Sequence, residues 1–149
     1  MSIDNIIGED RAGDIAEITR ITHVYARGLD RFDPKETLSA FTVDGVWDAG
    51  AVGLTRYEGH EQLLDFFERD AESVDKQFHI ITNHVIDFQD ADNATGTNYV
   101  FSEAEMKNGA AIKAIALNTD RYVRTPEGWK IAERVITPLT TPQMDGFDA

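Results

Sequence analysis

The sequence predicts an α+β fold, with helices laid against one face of a strongly curved antiparallel sheet. Two observations carry this. Up to about residue 73 the chain holds helix start signals and apolar residues at helical spacing. From residue 78 the period becomes that of strands, and four long β-branched and aromatic runs follow, separated by turn residues. Strands this long cannot stay flat, because twist accumulates along them. A sheet wrapped around helices leaves a tapered cavity between the two, the expected place for a ligand.

Residues 1–13 read as a polar lead-in, 14–138 as one domain, and 139–149 as a C-terminal tail, mobile or docked late. Asp14-Ile15-Ala16-Glu17 has the form of a capping box, so the first helix is expected to start at Asp14. Ile15, Ile18, Ile21, Tyr25 and Leu29 give it an apolar face, and Gly28 is its expected end. Asp33-Pro34-Lys35-Glu36 opens a second, short helix with Asp as N-cap and Pro at the first helical position. Thr42–Asp48 turns at Asp44-Gly45 into a strand carrying Trp47, and Leu54–Glu58 is a second short strand. Gly59 begins a third helix with Leu63, Leu64, Phe66 and Phe67 on its apolar face, closed by Arg69, Asp70 and Glu72. The long strands are expected at Phe78–Phe88, Ala94–Glu105, Ala110–Arg124 and Trp129–Pro138, with Asn108-Gly109 and Pro126-Glu127-Gly128 as turns.

The 149 residues suffice for one domain with a core, not two. Fourteen basic residues against 27 acidic ones give a formal charge of −13, a surface that repels phosphate backbones and anionic lipid. Neither nucleic acid nor a membrane surface is an expected partner. Without cysteine the chain has no disulfides, thiolate metal sites or thiol nucleophiles. Met1–Asn5 lacks the basic segment and apolar run of a signal peptide, and no apolar stretch approaches the ~20 residues of a membrane helix. A cytoplasmic location is expected.

Phe78–Phe88 carries the chemistry. Strand alternation puts His79, Ile81, Asn83 and Val85 on one face and Phe78, Ile80, Thr82, His84, Ile86 and Phe88 on the other. His79 is then either a satisfied core residue or a catalytic base. His84, five positions on, falls on the opposite face, which argues against a two-histidine metal site, and His23 and His60 lack ligand spacing. P-loop, GxGxxG and GxSxG motifs are absent, which leaves acid–base chemistry with no metal and no cofactor. Phe41, Trp47, Phe66, Phe67 and Phe101 are the expected apolar lining, with Tyr25 a phenol on the first helix's apolar face. Arg134 follows Glu133 in a strand, so one faces inward; an inward Arg134 would hold a substrate oxygen. The apolar face of Phe78, Ile80, Ile86 and Phe88 needs a cover, and a homodimer or higher homo-oligomer supplies it.

Several stretches resemble the nuclear-transport-factor-2-like superfamily, in its SnoaL-like branch. They are His23–Asp33, Phe41–Trp47, Tyr57-Glu58-Gly59-His60, His79–Asn83 and Asp120–Ile131. The resemblance implies a cone-shaped α+β barrel over about residues 14–138. The spacing of Tyr25, Asp30 and His79 is similar to that of the lyase members, scytalone dehydratase, bile-acid 7α-dehydratase and hexachlorocyclohexane dehydrochlorinase. There an Asp at the end of the first helix orients a His on the long strand, which removes a proton; Asp30 and His79 fall on those positions. Tyr25 matches the bile-acid enzyme's tyrosine, and Trp47 and Arg134 align with pocket residues of the dehydrochlorinase. The two tyrosines and second histidine of the scytalone enzyme have no counterpart here, nor has the ketosteroid-isomerase pattern.

The resemblance thus implies a cofactor-independent lyase of dehydratase type acting on a small apolar, cyclic substrate. His79, Asp30 and Tyr25 are the expected catalytic groups, and Trp47, Arg134, Phe41, Phe67 and Phe101 the substrate-binding ones. Proton-shuttle isomerisation needs only the return step. A hydrophobic-ligand binder or dimerising module is the non-catalytic alternative.

Overall fold

The computed structural model describes residues 9–147; positions 1–8 of the expected lead-in and the last two residues of the tail lie outside the described residues. The elements in order are α1 (Glu9–Asp30), α2 (Pro34–Ser39), β1 (Phe41–Asp48), a single 3-10 turn (Gly50–Val52) and β2 (Arg56–Glu58). There follow α3 (Gly59–Ser73), β3 (Val74–Phe88), β4 (Asn93–Met106), β5 (Ala111–Thr125), β6 (Gly128–Pro138) and β7 (Gln143–Asp145). The class is α+β, as expected. The sheet runs β2-β1-β6-β5-β4-β3, curled but not closed, with β7 paired to β5. The four long strands form an antiparallel meander, while β1 joins β6 in parallel. Among the described residues no helix is long and apolar enough to cross a membrane.

The first helix starts earlier and ends later than expected. Asp14 is not its N-cap: its carboxylate accepts hydrogen bonds from Trp129 Nε1 at 3.0 Å and from Arg124 at 3.0 Å. Glu17 accepts the Trp129 backbone N–H at 2.8 Å. The groups that look like a capping box instead fasten α1 to the β5–β6 hairpin, and a short-range pattern cannot distinguish these uses. Gly28 lies inside the helix. A Cβ there would fall 2.4 Å from Thr37 Oγ1, so glycine is needed for α2 to close against α1. Two residues beyond Asp30, Phe32 adopts φ 55°, and Asp33 N–H returns to Gly28 O at 2.9 Å, a left-handed helix stop. Asp33 caps α2 as expected, accepting from Glu36 N–H at 3.1 Å.

Strand β3 contains the feature that decides the interior. Its register against β4 shifts between Thr82 and Val85. Asn83 sits there at φ 53°, a conformation asparagine tolerates better than most residues. The bulge inserts one residue, so the alternation reverses beyond it. His79 faces the interior before the bulge, and so do His84, Ile86 and Phe88 after it. Ile86 and Phe88 are buried core residues, which corrects their expected place on the outer face. The outer face carries Ile80 and Val85, each about half exposed, with Tyr99 and Ile115. Phe78 and Phe101 meet on that face edge to face.

The tail is docked: Gln143–Asp145 pairs with Ala111–Lys113 of β5.

Candidate active site

Between the concave sheet and helices α1 and α3 lies a cavity of about 320 Å³. The ends of α1 and α3 and the inner faces of β1, β3, β4 and β5 reach into it, with Met144 and Phe147 of the tail at its edge. Most of the wall is apolar. Phe66 stacks on Tyr57 at 4.5 Å and packs against Trp47 at 4.5 Å. The polar side chains that reach it include Tyr25, Asp70, Gln77, His79, Ser102 and Asn118, with Arg69, Ser73 and Glu103 also in the lining.

His79 meets Asp30. His79 Nδ1 lies 2.8 Å from Asp30 Oδ1, and the His79 backbone N–H donates to Asp30 Oδ2 at 3.1 Å. Both carboxylate oxygens are thus spent on one residue, which fixes the ring's position. A carboxylate only accepts, so Nδ1 carries the ring proton and Nε2 is the bare, basic nitrogen. Nε2 has no hydrogen-bond partner among the described residues, and the ring lines the cavity. Asp30 belongs to the last turn of α1, the negative end of the helix dipole, where a carboxylate needs donors to compensate; His79 provides two.

Tyr25 is buried, and its hydroxyl accepts from Trp47 Nε1 at 2.8 Å. Its own proton remains available for a ligand oxygen. Burial pushes the phenol's pKa up, partly offset by Arg134, so the hydroxyl keeps that proton. The Arg134 guanidinium sits 4.5 Å over the Tyr25 ring.

Arg134 faces inward, yet it is not in the cavity wall. It is fully buried behind Tyr25, with Nε and Nη2 each 2.8 Å from Asp120. Burial alone would lower its pKa; the Asp120 charge and hydrogen bonds more than offset this and hold it charged. Asp120 also accepts from Tyr122 at 2.6 Å and Asn98 at 3.0 Å. His84 Nε2 lies 3.0 Å from the Tyr122 hydroxyl. That hydroxyl gives its proton to Asp120, so His84 Nε2 is the donor and Nδ1 is bare and unpartnered. Burial pushes the His84 pKa down. Among the described residues no group of three or more His, Asp or Glu is placed to share a metal ion.

Of the other expected lining residues, Trp47 is in the wall. Phe41 and Phe67 lie one layer back, packed edge-on to the Tyr25 ring at 5.8 and 6.4 Å. Phe66, also expected in the lining, is in the wall. Phe101 is a correction: it pairs with Ile80 and faces outward, while Val100 and Ser102 on either side face in. Asp70 was not singled out from the sequence as a site residue. It lies four residues after Phe66 and seven after Leu63, so helical spacing placed a carboxylate on the apolar stripe, and that was the available signal.

The family model described as SnoaL-like domain matches residues 10–135. No curated protein matches the chain. Among solved structures, one from Novosphingobium aromaticivorans, provisionally described as an aromatic ring hydroxylase, is 26% identical with a TM-score of 0.85, over 89% of this chain and 94% of that one. A second from the same organism, provisionally described as a scytalone dehydratase, is 18% identical with a TM-score of 0.83, over 92% and 91%. A type 2 hexachlorocyclohexane dehydrochlorinase is 23% identical with a TM-score of 0.80, over 90% and 91%.

Proposed function

We propose that this chain, which belongs to the SnoaL-like domain family, is a cofactor-independent lyase of dehydratase type acting on a small, apolar, cyclic substrate. The observation that carries the reading is the Asp30–His79 hydrogen bond at 2.8 Å, with the opposite ring nitrogen bare at a mostly apolar cavity. Two similar structures carry the names of eliminating enzymes, which makes elimination the reaction class to test first.

In this reading His79 Nε2 takes a proton from carbon next to a carbonyl. Asp30 holds the ring and stabilises the imidazolium as it forms. Tyr25 donates to the carbonyl oxygen as it becomes an enolate, and Trp47 fixes the direction of that donation. Arg134 acts through Tyr25 from behind, its charge favouring a phenol that gives its proton partway. Such acid–base help is worth ~10²–10⁴-fold per group, and the mostly apolar wall adds to it by strengthening each interaction.

The test is solvent deuterium incorporation into cyclic ketones and β-hydroxy carbonyl compounds, followed by mass spectrometry. Exchange that vanishes in a folded His79→Ala variant supports the reading. Exchange that survives there at the wild-type rate overturns it. Exchange with double-bond movement and no loss of water identifies the isomerase alternative, which uses the same dyad.

We further propose that the protein is a homodimer or higher homo-oligomer, through the apolar outer face of β3, β4 and β5. Its charge and wall chemistry suit a small neutral partner in the cavity and neither nucleic acid nor membrane, and the proposed location is cytoplasmic.

A further inference from the structure

The dyad leaves two carboxylates in the wall unused: Glu103, which pairs with Lys113 at 3.3 Å, and Asp70. Asp70 sits in the last turn of α3, on the same stripe as Leu63, Phe66 and Phe67. Three features of its setting disfavour a charge. It is mostly buried, it lies at the negative end of a helix dipole, and no Lys or Arg pairs with it among the described residues; the neighbouring Arg69 bonds to Asp65 at 3.0 Å. Burial is the main influence on its pKa and raises it; the Gln77 hydrogen bond and His79 oppose the rise, and the nearby Asp30 charge adds to it.

Its orientation is set by Gln77. Gln77 Nε2 gives one proton to Leu29 O at 2.8 Å and the other to Asp70 Oδ2 at 2.9 Å. Asp70 Oδ1 is left without a partner among the described residues, at the cavity. Gln77 and His79 are two apart on β3, so both project to the same side of the sheet. Leu29 immediately precedes Asp30. One amide therefore ties the carboxyl of α3 to the segment that carries the dyad.

We propose that Asp70 is the general acid of this site, delivering a proton to the oxygen that leaves from the carbon next to the one His79 deprotonates. The proposal rests on the lyase reading and deepens it: the leaving group is hydroxide, lost as water, and the substrate class is the β-hydroxy carbonyl compound. The argument is chemical. A halide departs unaided as a stable anion, whereas hydroxide is the conjugate base of a very weak acid and needs protonation as its bond breaks. An acid facing the same cavity as the base has a use only in the second case.

The step balances. The Cα–H bond breaks and its proton goes to His79 Nε2. The electron pair becomes the Cα=Cβ bond. The Cβ–O bond breaks, and the oxygen takes its electron pair and the Asp70 proton, leaving as water. Imidazolium and carboxylate appear together and each offsets the other's charge. Exchange with solvent returns one proton to Asp70 and removes one from His79.

Two probes test this, 3-hydroxycyclohexanone and 3-acetoxycyclohexanone, with the isosteric variant Asp70→Asn. Acetate needs no acid to leave. The expected result is a loss of ~10²–10⁴-fold in water elimination and a loss of less than about tenfold in acetate elimination. The Asp70 carboxyl, followed by carbon-13 NMR in the wild-type protein, titrates above the ordinary carboxylate value; a midpoint at or below that value overturns the proposal. Water elimination that is unimpaired in Asp70→Asn also overturns it and leaves the dyad reading standing. Equal losses with both probes show a structural role for Asp70 and overturn it too. Wild-type protein that exchanges no α-deuterium on either probe overturns the dyad reading and this proposal together.

Discussion

Asp30 holds His79 at two points, one oxygen on the ring Nδ1 at 2.8 Å and the other on the backbone N–H at 3.1 Å. Position and tautomer are fixed by one side chain. Asp30→Asn keeps the shape but offers an amide that can donate to Nδ1, which favours the wrong tautomer. We expect it to lower α-deuterium exchange by about 10²–10⁴-fold with far-ultraviolet circular dichroism unchanged. Exchange within twofold of wild type would remove Asp30 from the mechanism.

Gly28 tests the packing that delivers Asp30. A methyl group there meets Thr37 Oγ1 at 2.4 Å and the Thr37 backbone N at 2.5 Å, neither of which moves without shifting α2. Gly28→Ala improves helix propensity, yet the overpacking dominates. The expected net loss is about 1–3 kcal/mol in urea unfolding. A stabilised variant would show that α2 yields freely.

Arg134 and Asp120 are both fully buried, and each is the other's charge partner. Removing one strands the other. Arg134→Met is expected to cost about 3–5 kcal/mol, read from the urea midpoint at constant slope. The same variant removes the cation behind Tyr25, so any protein that folds should also exchange more slowly.

His84 gives a pH signature. Its pKa in the folded protein is lowered, by burial first and then by the Arg134 and His23 charges, with Asp120 opposing. The unfolded chain takes up a proton near pH 6.5 that the folded ring refuses. Stability attributable to His84 is therefore full above about pH 6.5 and falls as pH drops below it. Urea midpoints between pH 8 and 5 should show this fall, and His84→Asn should flatten it. An identical pH slope in both proteins would contradict the assignment.

The outer face supplies the last expectation. Ile80, Tyr99 and Ile115 are substantially exposed beside the Phe78–Phe101 contact. In sedimentation velocity the wild type is expected as a homo-oligomer, and the double variant Ile80→Glu/Phe101→Glu as a monomer. A monomeric wild type at micromolar concentration would leave this face without the proposed role.

The sequence by itself determined the types and order of the three helices and of the first six strands, because helix signals and strand alternation are short-range properties; the 3-10 turn and the β7 strand of the tail were not legible in it. It also determined where α2 is capped, since Asp33 bonds a backbone group only three residues away. Asp30 and His79 were legible as a pair through a family spacing, not through anything local. Other features depended on contacts between distant segments. Asp14 and Glu17 bind Trp129 and Arg124 because the β5–β6 hairpin lies over α1, and no window around residue 14 contains that information. One extra residue at Asn83 reverses the alternation of β3, turning His84, Ile86 and Phe88 inward; a bulge is defined by the register of the partner strand, which only the folded sheet supplies. Phe101 faces out, and Phe41 and Phe67 lie behind the wall, for similar reasons of register and helix rotation. Asp70 was written on an apolar stripe from the start. Its partner Gln77 is on another element, and only the closing of α3 against β3 brings its carboxyl to the cavity that His79 lines.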